Sequence, residues 1–254
     1  MSEPRRPSVE VQAVILAGGL GTRLRSVVAD RPKVLAPVLG RPFLSCLFDQ
    51  LQEAGIRRVV LCIGYRAELI SRCYGATYRD MALRYSVEAT PLGTGGALRH
   101  AMPLLDGGPL LVMNGDSYLE ADLSAFIRQH AEQEARLSLL LAQVPDVGRY
   151  GCVTTDASGA VTGFVEKGAA IGSGWINGGI YLLDRDVVAA IPAGREVSLE
   201  REIFPTQIGN RFFGHRLGGR FIDIGTPESY QAAEGFFGRR TIHPSPFCGV
   251  EVRP

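Results

Sequence analysis

The 254-residue sequence contains no apolar run near the roughly 18 residues that a membrane-crossing helix needs. It has almost no excess charge of either sign: 27 Lys and Arg against 26 Asp and Glu leave a formal net charge of +1. So balanced a chain shows neither the polybasic footprint of a nucleic-acid binder nor an acidic tail, and neither nucleic acid nor membrane is expected as a partner. Cysteine is sparse and unpatterned. Cys46, Cys62, Cys73, Cys152 and Cys248 are odd in number and include no Cys-x-x-Cys pair, which reads as a cytosolic protein with reduced thiols and no zinc site. The four histidines, His100, His130, His215 and His243, are far apart, so a histidine-based triad or structural metal has little support. Residues Met1–Glu10 are polar, with two Arg and two Pro. They lack an apolar segment, and no signal peptide is expected.

What the sequence does have is rhythm. Hydrophobic residues make up 46% of the chain, enough for a sizeable core. Short strand-like runs at Val11–Leu16, Arg58–Ile63, Leu83–Val87, Leu110–Met113 and Leu137–Leu141 alternate with helical stretches. The helices are read from Phe43 through Leu51, at Glu68–Tyr74, Thr94–Ala101 and Leu123–Glu134. This alternation predicts an α/β fold with a mostly parallel sheet covered on both faces. Further on, Gly151–Thr155 and Val161–Glu166 flank a turn and read as a hairpin. Trp175–Leu183 and Phe221–Ile224 read as strands, and Leu199–Ile208 as a helix. Pro227–Phe237 reads as a helix with Pro in its first turn. The expected organisation is an N-terminal segment (1–10), one domain (11–237) with a small β insertion, and a C-terminal tail (238–254).

Four groups of residues carry candidate chemistry. The first is the loop Leu16-Ala17-Gly18-Gly19-Leu20-Gly21-Thr22-Arg23-Leu24, directly after the first strand. Its glycines let backbone N–H groups approach a polyphosphate, and Arg23 can fork onto phosphate oxygens. No Gly-Lys-Ser/Thr follows, so it is not a Walker loop, and the spacing does not fit the dinucleotide fingerprint. Taken alone, it also fits a tight strand-to-helix turn, and Lys33 a solvated surface lysine. The second group is Glu88 with Pro91-Leu92-Gly93-Thr94-Gly95-Gly96 ahead of a helix. Its N–H groups are expected to be open to a ligand, with Thr94 as an alternative helix cap. The third is Asn114-Gly115-Asp116 at the end of a buried strand, where open α/β sheets bind ligands. The distant Asp223 ends another apolar run. The fourth is Tyr150-Gly151, Glu166-Lys167 and Asn177-Gly178-Gly179. Without further context, Glu166-Lys167 at a hairpin end is equally a solvated pair.

Leu16–Leu24 followed by Pro32-Lys33 resembles the motif of the sugar-1-phosphate nucleotidyltransferases, and the similarity runs from about Val11 to Phe237. That family has a Rossmann-like α/β/α sandwich. The resemblance implies that Leu16, Ala17, Gly18, Gly19, Gly21 and Thr22 wrap a nucleoside triphosphate. It puts Lys33 at the α-phosphate and Arg23 at the departing pyrophosphate. Glu88, Pro91, Gly93, Thr94 and Gly95 would hold base and ribose. Asp116 and Asp223 would hold Mg²⁺. Asn114, Tyr150, Gly151, Glu166, Lys167, Asn177 and Gly178 would form the sugar 1-phosphate side.

Other stretches resemble one subgroup, the guanylyltransferases that act on D-glycero-α-D-manno-heptose 1-phosphate and make a GDP-heptose for bacterial surface glycans. They are Leu24–Val28, Ala36–Val38 with Gly40–Leu44, Pro91–Ala97, Ser198–Glu200 and Phe221–Glu228. Val34 departs from the commoner Pro after the lysine. No hexapeptide-repeat solenoid follows the domain, so an added acetyltransferase module is not expected. The implied substrates are GTP and that sugar phosphate; a homodimer is compatible with this reading. Mannose 1-phosphate guanylyltransferases and uridylyl- or thymidylyltransferases are the alternatives. A non-catalytic sugar-nucleotide sensor is a further one, which the presence of Arg23, Lys33, Asp116 and Asp223 disfavours.

Overall fold

The computed structural model describes residues 11–238 except 166, 167 and 170. Glu166 and Lys167, expected on the sugar side, therefore lie outside the described residues. The first half of the chain runs β1 (Gln12–Leu16), β2 (Pro37–Val38), β3 (Arg41–Pro42), α1 (Phe43–Glu53), β4 (Arg58–Ile63), α2 (Ala67–Tyr74), β5 (Thr77–Tyr78) and β6 (Met81–Val87). It continues through α3 (Gly93–His100), β7 (Leu110–Asn114), β8 (Ser117–Ala121), α4 (Leu123–Glu132) and β9 (Leu137–Val144). The second half adds β10 (Cys152–Thr155), β11 (Val161–Val165), β12 (Gly174–Leu183), α5 (Arg185–Ala189) and a π-helical turn, Leu199–Ile203, that runs into α6 (Phe204–Gln207). Last come β13 (Phe212–His215), β14 (Gly218–Asp223) and α7 (Pro227–Phe237).

Eight strands form the main sheet in the order β13-β9-β12-β7-β1-β4-β6-β5. β1 runs parallel to β4 and β7, β4 to β6, and β9 to β13. β12 is antiparallel to both neighbours, as is the short edge strand β5 to β6. Ala13 and Ile15 face one apolar layer with Phe43, Ile70, Phe126 and Phe237. Val14 faces the other, with Leu98, Val188 and Phe204. A strand covered on both sides reads as a near-continuous hydrophobic run, which is why β1 and β4 are apolar after their first residues, Gln12 and Arg58.

The order of the strands positions the site. From β1 the chain steps outward to β4 and β6, then returns to lay β7 on the other side of β1. This reversal opens a crevice at the carboxyl ends of β1 and β7. The glycine-rich loop leaves β1 there, and Asn114-Gly115-Asp116 leaves β7. A separate two-stranded ribbon of β8 and β14 lies beside it, with Ser117 opposite Asp223. The β10–β11 hairpin pairs Cys152 with Val165.

The helix expected over Leu199–Ile208 forms over Leu199–Gln207, but it changes register at Phe204, from π to α. Pro205 has no N–H to return to Arg201, so a continuous α register cannot form. A second correction concerns the thiols. Cys46, Cys62 and Cys152 are free, but Cys73 is disulfide-bonded. Sequence spacing detects only local pairs, whereas a disulfide depends on proximity in three dimensions.

Away from the crevice, β9 and β13 bury two histidines around one hydroxyl. His215 Nδ1 meets Gln129 Oε1 at 2.9 Å, and its Nε2 meets Ser138 Oγ at 3.2 Å. His130 Nδ1 meets the same Oγ at 2.8 Å. The amide oxygen can only accept, so neutral His215 donates from Nδ1 and accepts the Ser138 proton at Nε2. Ser138 then accepts from His130. Burial pushes both rings down from the usual 6.5 to about 4, with mutual repulsion adding to the fall at His130. The stability they contribute is complete above the unfolded value near 6.5. It is lost as pH falls from there towards 4, at about 1.4 kcal/mol for each unit of displacement. Melting temperature is therefore expected to fall steeply between pH 6.5 and 4, and a His130→Gln/His215→Gln protein should lose most of that slope. An unchanged slope in the double variant would place the acid-sensitive groups elsewhere.

Candidate active site

The crevice holds a cavity of about 310 Å³, within the usual range for a small-molecule site. Leu16, Ala17, Gly18, Gly19, Lys33, Glu88, Pro91, Gly93, Thr94, Asn114 and Asp116 all line it. Residues separated by up to a hundred positions thus converge. The two loops touch directly: Gly115 N–H donates to Leu16 O at 2.9 Å, and a Cβ on Gly115 would sit 2.8 Å from that oxygen. Only glycine permits this approach. Glu88 follows β6, and its carboxylate accepts from Leu92 N–H at 3.0 Å. Burial pushes its carboxyl above the usual range, and that hydrogen bond partly offsets the rise.

Lys33 begins a short 3₁₀ turn (Lys33–Leu35). Its Nζ pairs with Asp116 Oδ2 at 2.5 Å. Asp116 and Asp223 are brought together by the β8–β14 ribbon, since Ile224 N–H donates to Asp116 O at 2.8 Å. Asp223 is held from several sides. Its Oδ2 accepts from Tyr150 Oη at 2.6 Å, and its Oδ1 from Gly225 N–H at 2.8 Å and Ser229 Oγ at 3.3 Å. Ser229 also belongs to the capping box of α7 with Thr226, so the same cap that starts the helix orients the carboxylate. Burial, then the bond to Asp223, pushes the Tyr150 hydroxyl up to about 12. Arg149 approaches Asp223 at 3.9 Å. Arg23 is exposed, and its Nη2 comes within 3.8 Å of the Cβ position at Gly225. Arg23, Tyr150 and Asp223 thus gather around one loop, beside the cavity rather than in its wall.

The start of α3 departs from the sequence reading. Gly95 and Gly96 N–H groups, expected to be open to a ligand, both donate to Val197 O, at 2.8 and 3.2 Å. A Cβ on Gly93 would sit 2.5 Å from that same oxygen, and one on Gly96 2.6 Å from Arg195 O. These glycines admit residues 195–197 of the chain itself. Thr94 is not the helix cap, a position that Leu92 takes. The Thr94 hydroxyl instead accepts from Leu199 N–H at 2.8 Å and donates to Glu200 Oε2 at 2.7 Å.

On the other side of the crevice, Asn114 and Asn177 both donate to Tyr181 Oη, at 3.2 and 2.9 Å. Tyr181 donates in turn to Glu200 Oε1 at 3.2 Å. Asn114 Oδ1 is buried and has no hydrogen-bond partner among the described residues. Gly178 lies where a Cβ would meet Leu119 Cδ2 at 2.5 Å. Sequence reasoning missed Tyr181, Glu196 and Glu200. Tyr181 sits in an apolar strand and reads as core. Glu196 lines the cavity, from a loop without a motif. Glu200 stood only among the subgroup-like stretches. No helix among the described residues is long and apolar enough to cross a membrane.

Comparison with known proteins agrees with this geometry. The profile of the nucleotidyl transferase family matches residues 12–239. D-glycero-alpha-D-manno-heptose 1-phosphate guanylyltransferase of Aneurinibacillus thermoaerophilus is 36% identical over 225 residues, 88% of this chain and 97% of that protein. Mannose-1-phosphate guanylyltransferase of Mycobacterium tuberculosis is 36% identical over 241 residues, 93% of this chain and 67% of that protein. The crystal structure of HddC from Yersinia pseudotuberculosis complexed with GMP-PN superposes with a TM-score of 0.78 at 35% identity, covering 89% of this chain and 99% of that one. The chain therefore belongs to the nucleotidyl transferase family and is an enzyme of that class.

Proposed function

We propose that the chain condenses GTP with D-glycero-α-D-manno-heptose 1-phosphate to give GDP-heptose and pyrophosphate. The observation that carries this reading is the convergence of the glycine-rich loop, Lys33 and Asp116 on one cavity at the strand-order reversal. The names of the relatives favour guanine and heptose over other bases and sugars. Such a product would feed capsule or lipopolysaccharide synthesis from the cytoplasm.

The chemistry is a single displacement. An oxygen of the sugar phosphate forms a bond to the α-phosphorus of GTP, and the bond from that phosphorus to the β-bridging oxygen breaks. The attacking oxygen is already anionic at neutral pH and needs no general base. Positioning and charge neutralisation then supply the catalysis. Lys33, paired with Asp116 in the free enzyme, exchanges that partner for the α-phosphate. Arg23 receives the leaving pyrophosphate. Lys167 holds the sugar's phosphate and Glu166 its hydroxyls, with Tyr150, Gly151, Asn177 and Gly178 around the ring.

Asp116 and Asp223 suit a divalent cation. Both are hard oxygen donors at one end of the β8–β14 ribbon, Asp116 just before β8 and Asp223 ending β14, and Mg²⁺ commonly takes one or two carboxylates and completes its shell with phosphate and water. Among the described residues no group of three or more such side chains is gathered, so substrate phosphates and water would supply the other ligands. Bound there, Mg²⁺ would add positive charge against the phosphates.

Pyrophosphate release across four NTPs and a panel of sugar 1-phosphates tests the proposal. One unmatched buried polar group on the base costs about 1–3 kcal/mol, so GTP is expected to exceed UTP and dTTP by about ten- to hundredfold in kcat/KM. Heptose 1-phosphate should exceed mannose 1-phosphate. UTP or dTTP outperforming GTP would overturn the base assignment.

A further inference from the structure

We infer that Glu200 is a positioning residue that couples the nucleotide side of the crevice to the sugar side. This rests on the functional reading above for the naming of the two sides. Glu200 Oε2 accepts from Thr94 Oγ1 at 2.7 Å and Ser198 Oγ at 3.1 Å, while Oε1 accepts from Tyr181 Oη at 3.2 Å. Thr94 stands at the start of α3 and lines the cavity. Tyr181 lies on β12, four residues past Asn177.

The direction of every bond is set by proton count. Tyr181 has one hydroxyl proton, and the amides of Asn114 and Asn177 occupy its oxygen as donors. That proton must go to Glu200. Asn177 Oδ1 is held in turn by Gly179 N–H at 2.9 Å, which orients its amide. The hydroxyls of Tyr181, Thr94 and Ser198 thus all donate inward to the Glu200 carboxylate, which accepts on both oxygens. Tyr181 is fully buried, so no water replaces a lost partner there. Charge-assisted bonds of this kind are the stronger and more rigid ones.

The mechanical link is equally tight. Val197 N–H donates to Leu92 O at 2.9 Å, and Val197 O accepts from Gly95 and Gly96. Residues 195–200 and the start of α3 are stitched into one unit, and Tyr181 joins that unit to β12. A shift of the sugar strand is thus carried to the base loop through Glu200. Gln at position 200 cannot replace it. Its NH₂ would face either Tyr181 Oη, whose acceptor sites are filled, or Thr94 and Ser198, which would lose their acceptor. One arm must break.

The test uses the full chain with GTP and D-glycero-α-D-manno-heptose 1-phosphate, measuring kcat and both KM values. Tyr181→Phe is expected to raise the sugar phosphate KM several-fold with a smaller effect on GTP, and Thr94→Val the reverse. Glu200→Gln should raise both and lower kcat about tenfold. Among the described residues the hydrogen-bond path from Thr94 to Tyr181 runs through Glu200, so the double variant should fall well short of the product of the single effects. Circular dichroism and melting curves confirm folding at the assay temperature. If Glu200→Gln fails to fold, the Thr94–Tyr181 cycle decides alone. Multiplicative effects, or wild-type constants in a folded Glu200→Gln protein, would overturn the coupling. Each constant is taken relative to wild type. Lack of wild-type turnover with this pair counts against the substrate assignment; the cycle is then run with the pair that turns over.

Discussion

Replacing Asp116 or Asp223 by Asn is expected to lower kcat by about two to three orders of magnitude, the usual scale for losing one group that stabilises developing charge. The two variants should differ in their other properties. Asp116→Asn also removes the partner of Lys33, whose side chain is only 15% exposed, so it should lose some thermal stability. Asp223→Asn keeps an oxygen for Tyr150, Gly225 or Ser229, and its melting temperature should stay near wild type. Removing divalent ions with EDTA should abolish turnover in the parent enzyme, with recovery on adding Mg²⁺. Steady-state kinetics with melting curves checks all three outcomes. Near-normal kcat in both variants, or full activity in EDTA, would refute the assignment of these carboxylates.

The second large effect separates two lysines. Lys33 lines the cavity beside the glycine-rich loop, whereas Lys167 is placed by family resemblance on the sugar side. Lys33→Ala should lower kcat about a hundredfold with a smaller change in GTP affinity, because its contact strengthens as charge moves off the α-phosphate. Lys167→Ala should weaken sugar 1-phosphate binding about tenfold or more while GTP binding changes little. Calorimetric titration with a non-hydrolysable GTP analogue and with the sugar phosphate measures both. Loss of nucleotide affinity in Lys167→Ala with unchanged sugar phosphate affinity would reverse the roles.

How much of this is legible in the sequence depends on the range of the cause. α1 and α7 can be read because their apolar face and caps are local: Pro227 and Thr226 announce one, and the Phe43–Leu51 periodicity the other. β1 and β4 can be read because strands covered on both faces are near-continuous apolar runs. β8 escapes notice because its partner β14 lies about a hundred residues away and only that pairing makes Ser117–Ala121 a strand. The four-residue β13 is too short to show a pattern. The same distinction governs the site. The glycine-rich loop and Asn114-Gly115-Asp116 announce themselves by composition at strand ends. The glycines of Gly93–Gly96 also stand out, but their cause, the backbone of residues 195–197, is invisible until the chain folds. Tyr181 and Glu200 escape for a related reason. A tyrosine in an apolar strand and a glutamate after a serine are ordinary locally, and only the hydrogen bonds between them are not.

The reaction proposed for this crevice is a single in-line transfer of GMP from GTP to heptose 1-phosphate. The most direct measurement uses one diastereomer of GTP with sulfur at the α-phosphorus and determines, by phosphorus NMR, the configuration of the GDP-heptose analogue formed. One displacement predicts a single product with inverted configuration at that phosphorus. Retained configuration would instead require two displacements through a covalent nucleotidyl-enzyme, and would contradict the account.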